Sequence, residues 1–333
     1  MFTRTVFLLS CVAGPTFADV DAVIESHIAP GYASLAATTA ELSNASSIDC
    51  STRAVRPHFH AAYDAWISIS HIQFGPIEDR GLSLSMAFWP DPKDSTGKAL
   101  ARLTSASDPI VDEPEQFGEV SAAAQGFTAL ERLLYDAQPD PDYACRLTQA
   151  ISLGLAAKAG IILDDWPGFA SLMATAGVTG NERFQSAEDV KRALYTALST
   201  GLEFLHDQRL GRPLGSFERP RPKRAEARRS ERSLRHIILS LDALEALATT
   251  MFDGDLTQTK AAFAAAKERA ASLEDPALAG VANPGQRIRI EALQRTVNDI
   301  RNAVNDEIGK PLGITAGFNS LRLSNLVVDH AEA

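Results

Sequence analysis

No His-Glu-x-x-His pair, Gly-x-Ser-x-Gly elbow, phosphate-cradling glycine loop or cysteine cluster occurs anywhere in the chain. Those absences remove the readable signatures of zinc peptidases, serine hydrolases, nucleotide-binding loops and cysteine-held metals. Turn-bounded stretches of alternating apolar residues are nearly missing as well, which argues against a β architecture. Beyond the N-terminus no segment approaches roughly 18 uncharged apolar residues, so no membrane span is expected. Basic residues are outnumbered, 32 against 42 acidic, for a net charge of −10. That balance argues against a general nucleic-acid binder.

What is present begins with an export signal. Arg4 precedes the apolar run Thr5–Ala13, and Thr16-Phe17-Ala18 ends in the small-residue pattern that signal peptidases accept. Cleavage is predicted after Ala18, leaving a soluble chain of about 315 residues in the periplasm. A lipoprotein anchored through Cys11 is the disfavoured alternative, because its apolar region would be very short. Loss of Arg4 leaves 31 basic against 42 acidic residues, a net charge of about −11. Loss of Cys11 leaves Cys50 and Cys145, an even count in an oxidising compartment. We expect these two to form a disulfide; two separate buried thiols are the alternative.

Apolar residues three and four apart dominate the long segments, so the fold class is all-α. The pattern predicts helices over about 19–43, 49–73, 118–136, 141–165, 186–210, 223–252, 256–273 and 286–307. The length exceeds what one core usually serves. Gly75-Pro76 closes the second helix, and Phe88-Trp89-Pro90-Asp91-Pro92 cannot be helical throughout, making 74–117 a long, partly irregular excursion. A second break, Gly211-Arg212-Pro213-Leu214-Gly215 to Pro220-Arg221-Pro222, suggests a first bundle over 19–212 and a second over 213–333.

Three groups of side chains are candidates for chemistry. On the second helix an aromatic face holds Phe59, Tyr63 and Trp66, while His60, Asp64 and His71 share another face; His71, beside the Gly75-Pro76 break, is the best metal-ligand candidate of that stripe. On the segment from Ser121, Glu131 sits at the rim of an apolar face beside Thr128 and Tyr135, and must be paired or part of a site. Arg80 and residues 228–235 are its candidate partners. Finally, eight cations fall between Arg219 and Arg235, and Arg228, Arg232 and Arg235 are expected on one helical stripe facing either an anion or acidic groups of the first bundle.

Six stretches in order resemble the imelysin-like family: Phe74-Gly75-Pro76, Phe88-Trp89-Pro90-Asp91, Ser121 to Glu131, Arg212-Pro213-Leu214-Gly215, Arg229-Ser230-Glu231-Arg232-Ser233-Leu234 and Gly317-Phe318-Asn319-Ser320. These are exported helical proteins whose founding member is described as a peptidase and whose relatives are associated with iron uptake. The resemblance implies two helical bundles with a site at their interface. Its Gly-x-His-x-x-Glu motif maps onto Gly126 and Glu131, with Thr128 in place of histidine. Threonine is a poor iron or zinc ligand, which argues against copying a metal site from the family and leaves Glu131 with His71 as the remaining metal pair.

The ligand set expected from these readings is Gly126, Thr128, Glu131, His71, Trp66, Arg80, Arg229, Ser230, Arg232 and Ser233, with no catalytic residues. The leading expectation is a periplasmic binding or accessory protein connected to iron or haem acquisition, taking a small ligand or metal ion, with iron as the candidate cofactor. Envelope or iron-transport proteins are its expected partners. A cell-envelope interaction protein without a metal site is the rival reading, and a peptidase the weakest.

Overall fold

A computed structural model describes residues 19–314. The N-terminal segment read as an export signal, with Cys11, and the Gly317-Phe318-Asn319-Ser320 segment lie outside the described residues. Among the described residues there is no strand.

The first helix, α1, runs without a break through Val20–Val23, a π turn at Ile24–Ile28 and Ala29–Ile48. Helix α2 (Thr52–Ile69) starts where the Ser51 hydroxyl accepts the Ala54 N–H, and buries Val55, Phe59, Ala62, Tyr63, Trp66 and Ile69 along one face. The excursion after Gly75 holds two single turns, Pro76–Asp79 and Ser83–Met86, then a helix α3 (Ser95–Ala106) that the sequence pattern did not single out. Leu100 and Leu103 are the short apolar face that docks it. Pro114–Gly118 and a turn at Ala122–Ala124 lead to α4 (Gly126–Tyr135).

The expected helix over 118–136 is therefore broken. Gln125 is extended, and Gly126 takes a φ of +73°. A Cβ on Gly126 would lie 2.3 Å from the Met86 carbonyl oxygen, so the chain reaches this close approach only with glycine. Gln125 secures the bend by donating its amide to the Gly118 and Val120 carbonyls and accepting from Lys158 Nζ at 2.6 Å.

Helix α5 (Pro141–Ala174) begins with Asp140 capping the Tyr143 N–H and Pro141 in the first turn. It buries Leu147, Ile151, Leu155, Ala159, Ile162, Trp166, Phe169 and Met173 on one stripe. It passes through Pro167 instead of stopping at 165. The aromatic contacts of Trp166 with Tyr32 and Phe74, and of Phe169 with Phe184, hold those last turns in place. By length and composition α5 is apolar enough to cross a bilayer; in this fold it packs against α1 and α4. The predicted disulfide is formed: Cys50, just before α2, bonds Cys145 in the first turns of α5, with Cα atoms 5.4 Å apart.

Helix α6 (Ala187–Glu203) starts in a Ser186–Asp189 capping box and continues through a π turn, Phe204–Leu210, into Gly211–Leu214. The remaining helices are α7 (Ser233–Met251), α8 (Thr257–Ala271) and α9 (Pro284–Val304), the last capped by Asn283. Helices α1, α2, α4 and α5 pack on one another; α6 lies against α7 and α9, and α8 against α7 and α9. Helix α7 also lies on α2, and the buried apolar side chains form one continuous cluster from Val23 to Ile308.

The arginine-rich stretch departs most from expectation. Residues 223–232 are not the start of a helix: a turn at Pro222–Arg224 is followed by left-handed residues at Ala227, φ 48°, and Glu231, φ 56°. Arg228 and Arg232 therefore precede α7, and only Arg235 lies within it, so the expected stripe does not exist. Long-range bonds override the local helical preference here, because Ser230 is tied to Glu131 and the Ser233 hydroxyl donates to the Glu226 carbonyl.

Candidate functional site

Glu131 anchors the site. The apolar side of α4 forces it inward, where it is 3% exposed. Its carboxylate accepts the Ser230 N–H at 2.9 Å and the Ser230 hydroxyl at 2.7 Å, which satisfies a charge that would be costly to bury alone. Its partner is thus a serine in the arginine-rich loop. Arg80, one of the candidates, is exposed and pairs with Asp165 instead.

The same loop is tied down at three more points. Arg229 Nε binds both oxygens of Asp136 at 2.7 and 2.9 Å. Asp64 on α2 takes Arg232 and, at 2.7 Å, Arg235 Nε. Glu226, fully buried, meets Arg209 Nε at 2.7 Å and His236 Nδ1 at 3.0 Å. Burial alone would raise the Glu226 pKa; Arg209 and the bond to His236 outweigh it and hold the carboxyl down at about 2. So Asp64 of α2's expected polar stripe meets Arg235 of α7, while His60 of the same stripe bonds the Tyr135 hydroxyl.

Between these ties lies a cleft of about 70 Å³. Trp89, Asp91 and Pro92 form one wall, Tyr63, Thr128, Glu131 and Arg132 the floor, and Arg212 with Lys223, Arg224, Ala225 and Ala227–Arg229 the other wall. Tyr63 stacks on Phe127 with centroids 4.7 Å apart and receives the edge of His236 at 4.4 Å. Burial, reinforced by the nearby Glu226 and Glu131 carboxylates, raises the Tyr63 hydroxyl well above the usual phenol range. Trp89 packs edge-on against Phe204 and so fixes the first wall to the π turn after α6. The Asp91 carboxylate accepts the Ser95 and Thr96 N–H groups and thereby orients α3.

Of the residues expected from sequence, Thr128, Glu131 and Arg229 line this cleft, Ser230 braces it from behind, and Gly126 allows the bend that delivers α4 to it. Arg232 and Ser233 act through the ties described above. Trp66 is buried in the core face of α2, and His71 lies past the end of that helix. His71 Nε2 meets His27 Nε2 at 2.8 Å, and neither histidine lines the cleft. Cleft residues outside that expected ligand set include Tyr63, Trp89, Asp91, Arg132, Arg212 and Arg224; the Trp89-Pro90-Asp91 break and the run of arginines were the available signals.

A metal held by the Gly126–Glu131 motif does not fit the residues present. Thr128 replaces the imidazole, Glu131 is already bonded twice to Ser230, and His71 is engaged by His27 elsewhere. Among the described residues no three of His, Cys, Asp and Glu converge as a ligand set.

Solved structures share this fold. An imelysin-like protein from Psychrobacter arcticum 273-4 superposes with a TM-score of 0.75 at 20% identity, covering 90% of this chain and 96% of its own. A putative iron-regulated protein A precursor from Parabacteroides distasonis ATCC 8503 gives 0.67 at 13% identity, covering 86% and 92%. No curated protein matches the sequence. The family model described as imelysin matches residues 28–304, most of the chain and every element that builds the cleft. The chain belongs to the imelysin family.

Proposed function

We propose that this protein is an exported, periplasmic binding or accessory protein of iron acquisition, holding a small ligand in the cleft between α4 and the arginine-rich loop. The observation that carries this reading is the convergence of Thr128, Glu131 and Arg229, 101 positions apart at their extremes, on one cleft whose walls are held by ion pairs on several sides. The fold neighbour named as an iron-regulated protein A precursor supports the link to iron. Family membership supports export, as does the signal-like N-terminus. Iron enters here as cargo, since the residues at Glu131 do not make a resident metal site.

The cleft volume favours a small ligand over a porphyrin. Drug-sized ligands occupy pockets of roughly 300–1,000 Å³, well above this one. Native mass spectrometry and metal analysis of protein recovered from the periplasm test the proposal. Stoichiometric iron, or a ligand that is lost in Glu131→Ala while the fold persists, is the expected result. Protein that is recovered only from the cytoplasm, or that carries nothing and ignores added iron salts and chelates, overturns it.

A further inference from the structure

The cleft is lined by six cations, Arg132, Arg212, Lys223, Arg224, Arg228 and Arg229, against the carboxylates of Asp91 and Glu131. This excess stands out in a chain of net charge −10. Both carboxylates are already engaged, Asp91 by two backbone N–H groups and Glu131 by Ser230. Arg132 and Arg229 have Asp94 and Asp136. Among the described residues, Lys223, Arg224 and Arg228 pair with no carboxylate; Arg228 Nε donates only to the Lys223 carbonyl, at 3.1 Å. Arg212 reaches the side chain of Gln208, not an acid.

These groups also crowd one another. Burial first, and then a neighbouring cation, lowers the pKa of two of them: Arg224 acts on Arg212, and Arg229 on Arg228. Like charges that outnumber the carboxylates beside them leave a positive field in a concave, partly desolvated place, where an anion gains the most. Thr128 Oγ1 is buried on the floor next to the Tyr63 hydroxyl and places a further polar atom beneath the cations. At roughly 10–15 Å³ of accessible space for each ordered water, 70 Å³ holds a handful of waters or one small oxyanion.

We propose that the cleft binds a small, multiply charged oxyanion, a phosphate or a short polycarboxylate, through Arg224, Arg228, Arg212 and Lys223, with Thr128 on its floor. The inference rests on the reading of this cleft as the ligand site, and it specifies the ligand's charge. A bare iron cation is repelled by the same field, so iron that reaches this cleft does so within an anionic complex. Guanidinium groups suit the ligand class because their fork matches two oxygens of a phosphate or carboxylate.

Isothermal titration of the full mature protein with inorganic phosphate, citrate, ferric citrate and ferrous chloride, each at low and high ionic strength, tests this. Saturable binding of phosphate or of the citrate species is expected, weakening as salt rises. Phosphate alone identifies a phosphate site, and citrate or its iron complex a carboxylate site. Arg224→Ala and Arg228→Ala should each weaken binding at least tenfold while the thermal midpoint of the ligand-free protein holds or rises, because each removes a crowded charge that makes no ion pair with a carboxylate. Arg228→Lys, which keeps the charge and loses the fork, should fall between. Binding of ferrous chloride with neither anion bound overturns the oxyanion inference and leaves the iron-binding reading standing. Binding of none of the four overturns both, and anion binding unchanged in both alanine variants places the anion elsewhere and overturns the inference alone.

Discussion

Ser230 and Glu131 are joined twice, through the serine N–H at 2.9 Å and its hydroxyl at 2.7 Å, across 99 positions of sequence. The pair turns an isolated buried carboxylate into a satisfied one and fixes the arginine-rich loop over α4. Ser230→Ala removes one of the two bonds and should cost about 1–2 kcal/mol. Glu131→Ala leaves both Ser230 donors buried and should cost more. Guanidinium denaturation measures both, and an unchanged midpoint in Glu131→Ala would refute the structural weight given to the pair.

Gly126→Ala should destabilise the protein by at least about 2 kcal/mol. The substituted residue would have to hold a left-handed backbone, which costs roughly 1–2 kcal/mol, and its Cβ would collide with the Met86 and Ser85 carbonyl oxygens at 2.3 and 2.5 Å. Both atoms are backbone and cannot swing away. Differential scanning calorimetry showing a melting temperature equal to that of the parent would refute the requirement.

The His27–His71 pair should make stability depend on pH well above the range where carboxylates titrate. Their Nε2 atoms share one hydrogen bond, so one ring donates and the other accepts. Burial lowers His27 from 6.5 to about 4, and burial with the neighbouring His27 and Arg209 charges lowers His71 well below the usual imidazole range. Between those values the unfolded chain binds more protons than the folded one, so stability is complete above pH 6.5 and falls as pH drops toward 4. The loss from His27 is on the order of 3 kcal/mol. Glu226, held at about 2, adds its own loss only below 4.5. Denaturation midpoints of the parent and His27→Gln across pH 7 to 4 check this; parallel curves would show that the pair does not govern that window.

Opening the Cys50–Cys145 bond should lower stability by about 2–5 kcal/mol, since it closes a long loop in the unfolded chain. The two residues are 95 positions apart. Unfolding the Cys50→Ala, Cys145→Ala double variant beside oxidised parent protein measures the difference. Equal denaturation midpoints would refute it.

Breaking the buried cluster around Glu226 should be among the costliest single changes. Glu226→Ala leaves Arg209 buried without its carboxylate and frees the loop at the same time, for an expected loss of about 3–5 kcal/mol. Proteolysis of the loop at 222–232 should accelerate in step. A variant that melts with the parent would mean that the cluster contributes little.

Helix periodicity made the all-α class and most long helices legible, because Phe59, Tyr63 and Trp66, or Leu147, Ile151 and Leu155, carry their own spacing. The even cysteine count made the disulfide legible. Sequence misled where distant contacts outweigh local preference. Residues 223–232 have the composition of a helix start, yet Ala227 and Glu231 are turned left-handed by bonds to α4 and to Glu226. Pro167 reads as a stop, yet the aromatic contacts around Trp166 and Phe169 carry α5 past it. The weight placed on Glu131, Arg229 and Ser230 was recoverable from the chain; that Asp64 takes two arginines and that His71 meets His27 was not, since each depends on which helices become neighbours.

The Asp64 clasp on Arg232 and Arg235 bears on how quickly anything enters the cleft. With the loop also fastened through Arg229, Ser230 and Glu226, its conformational freedom is lost during folding and not at the moment of encounter. Capture of the proposed oxyanion would then need no ordering step, so its on-rate would follow diffusion and the long-range field of the cations, and selectivity would be expressed in how long the guest stays.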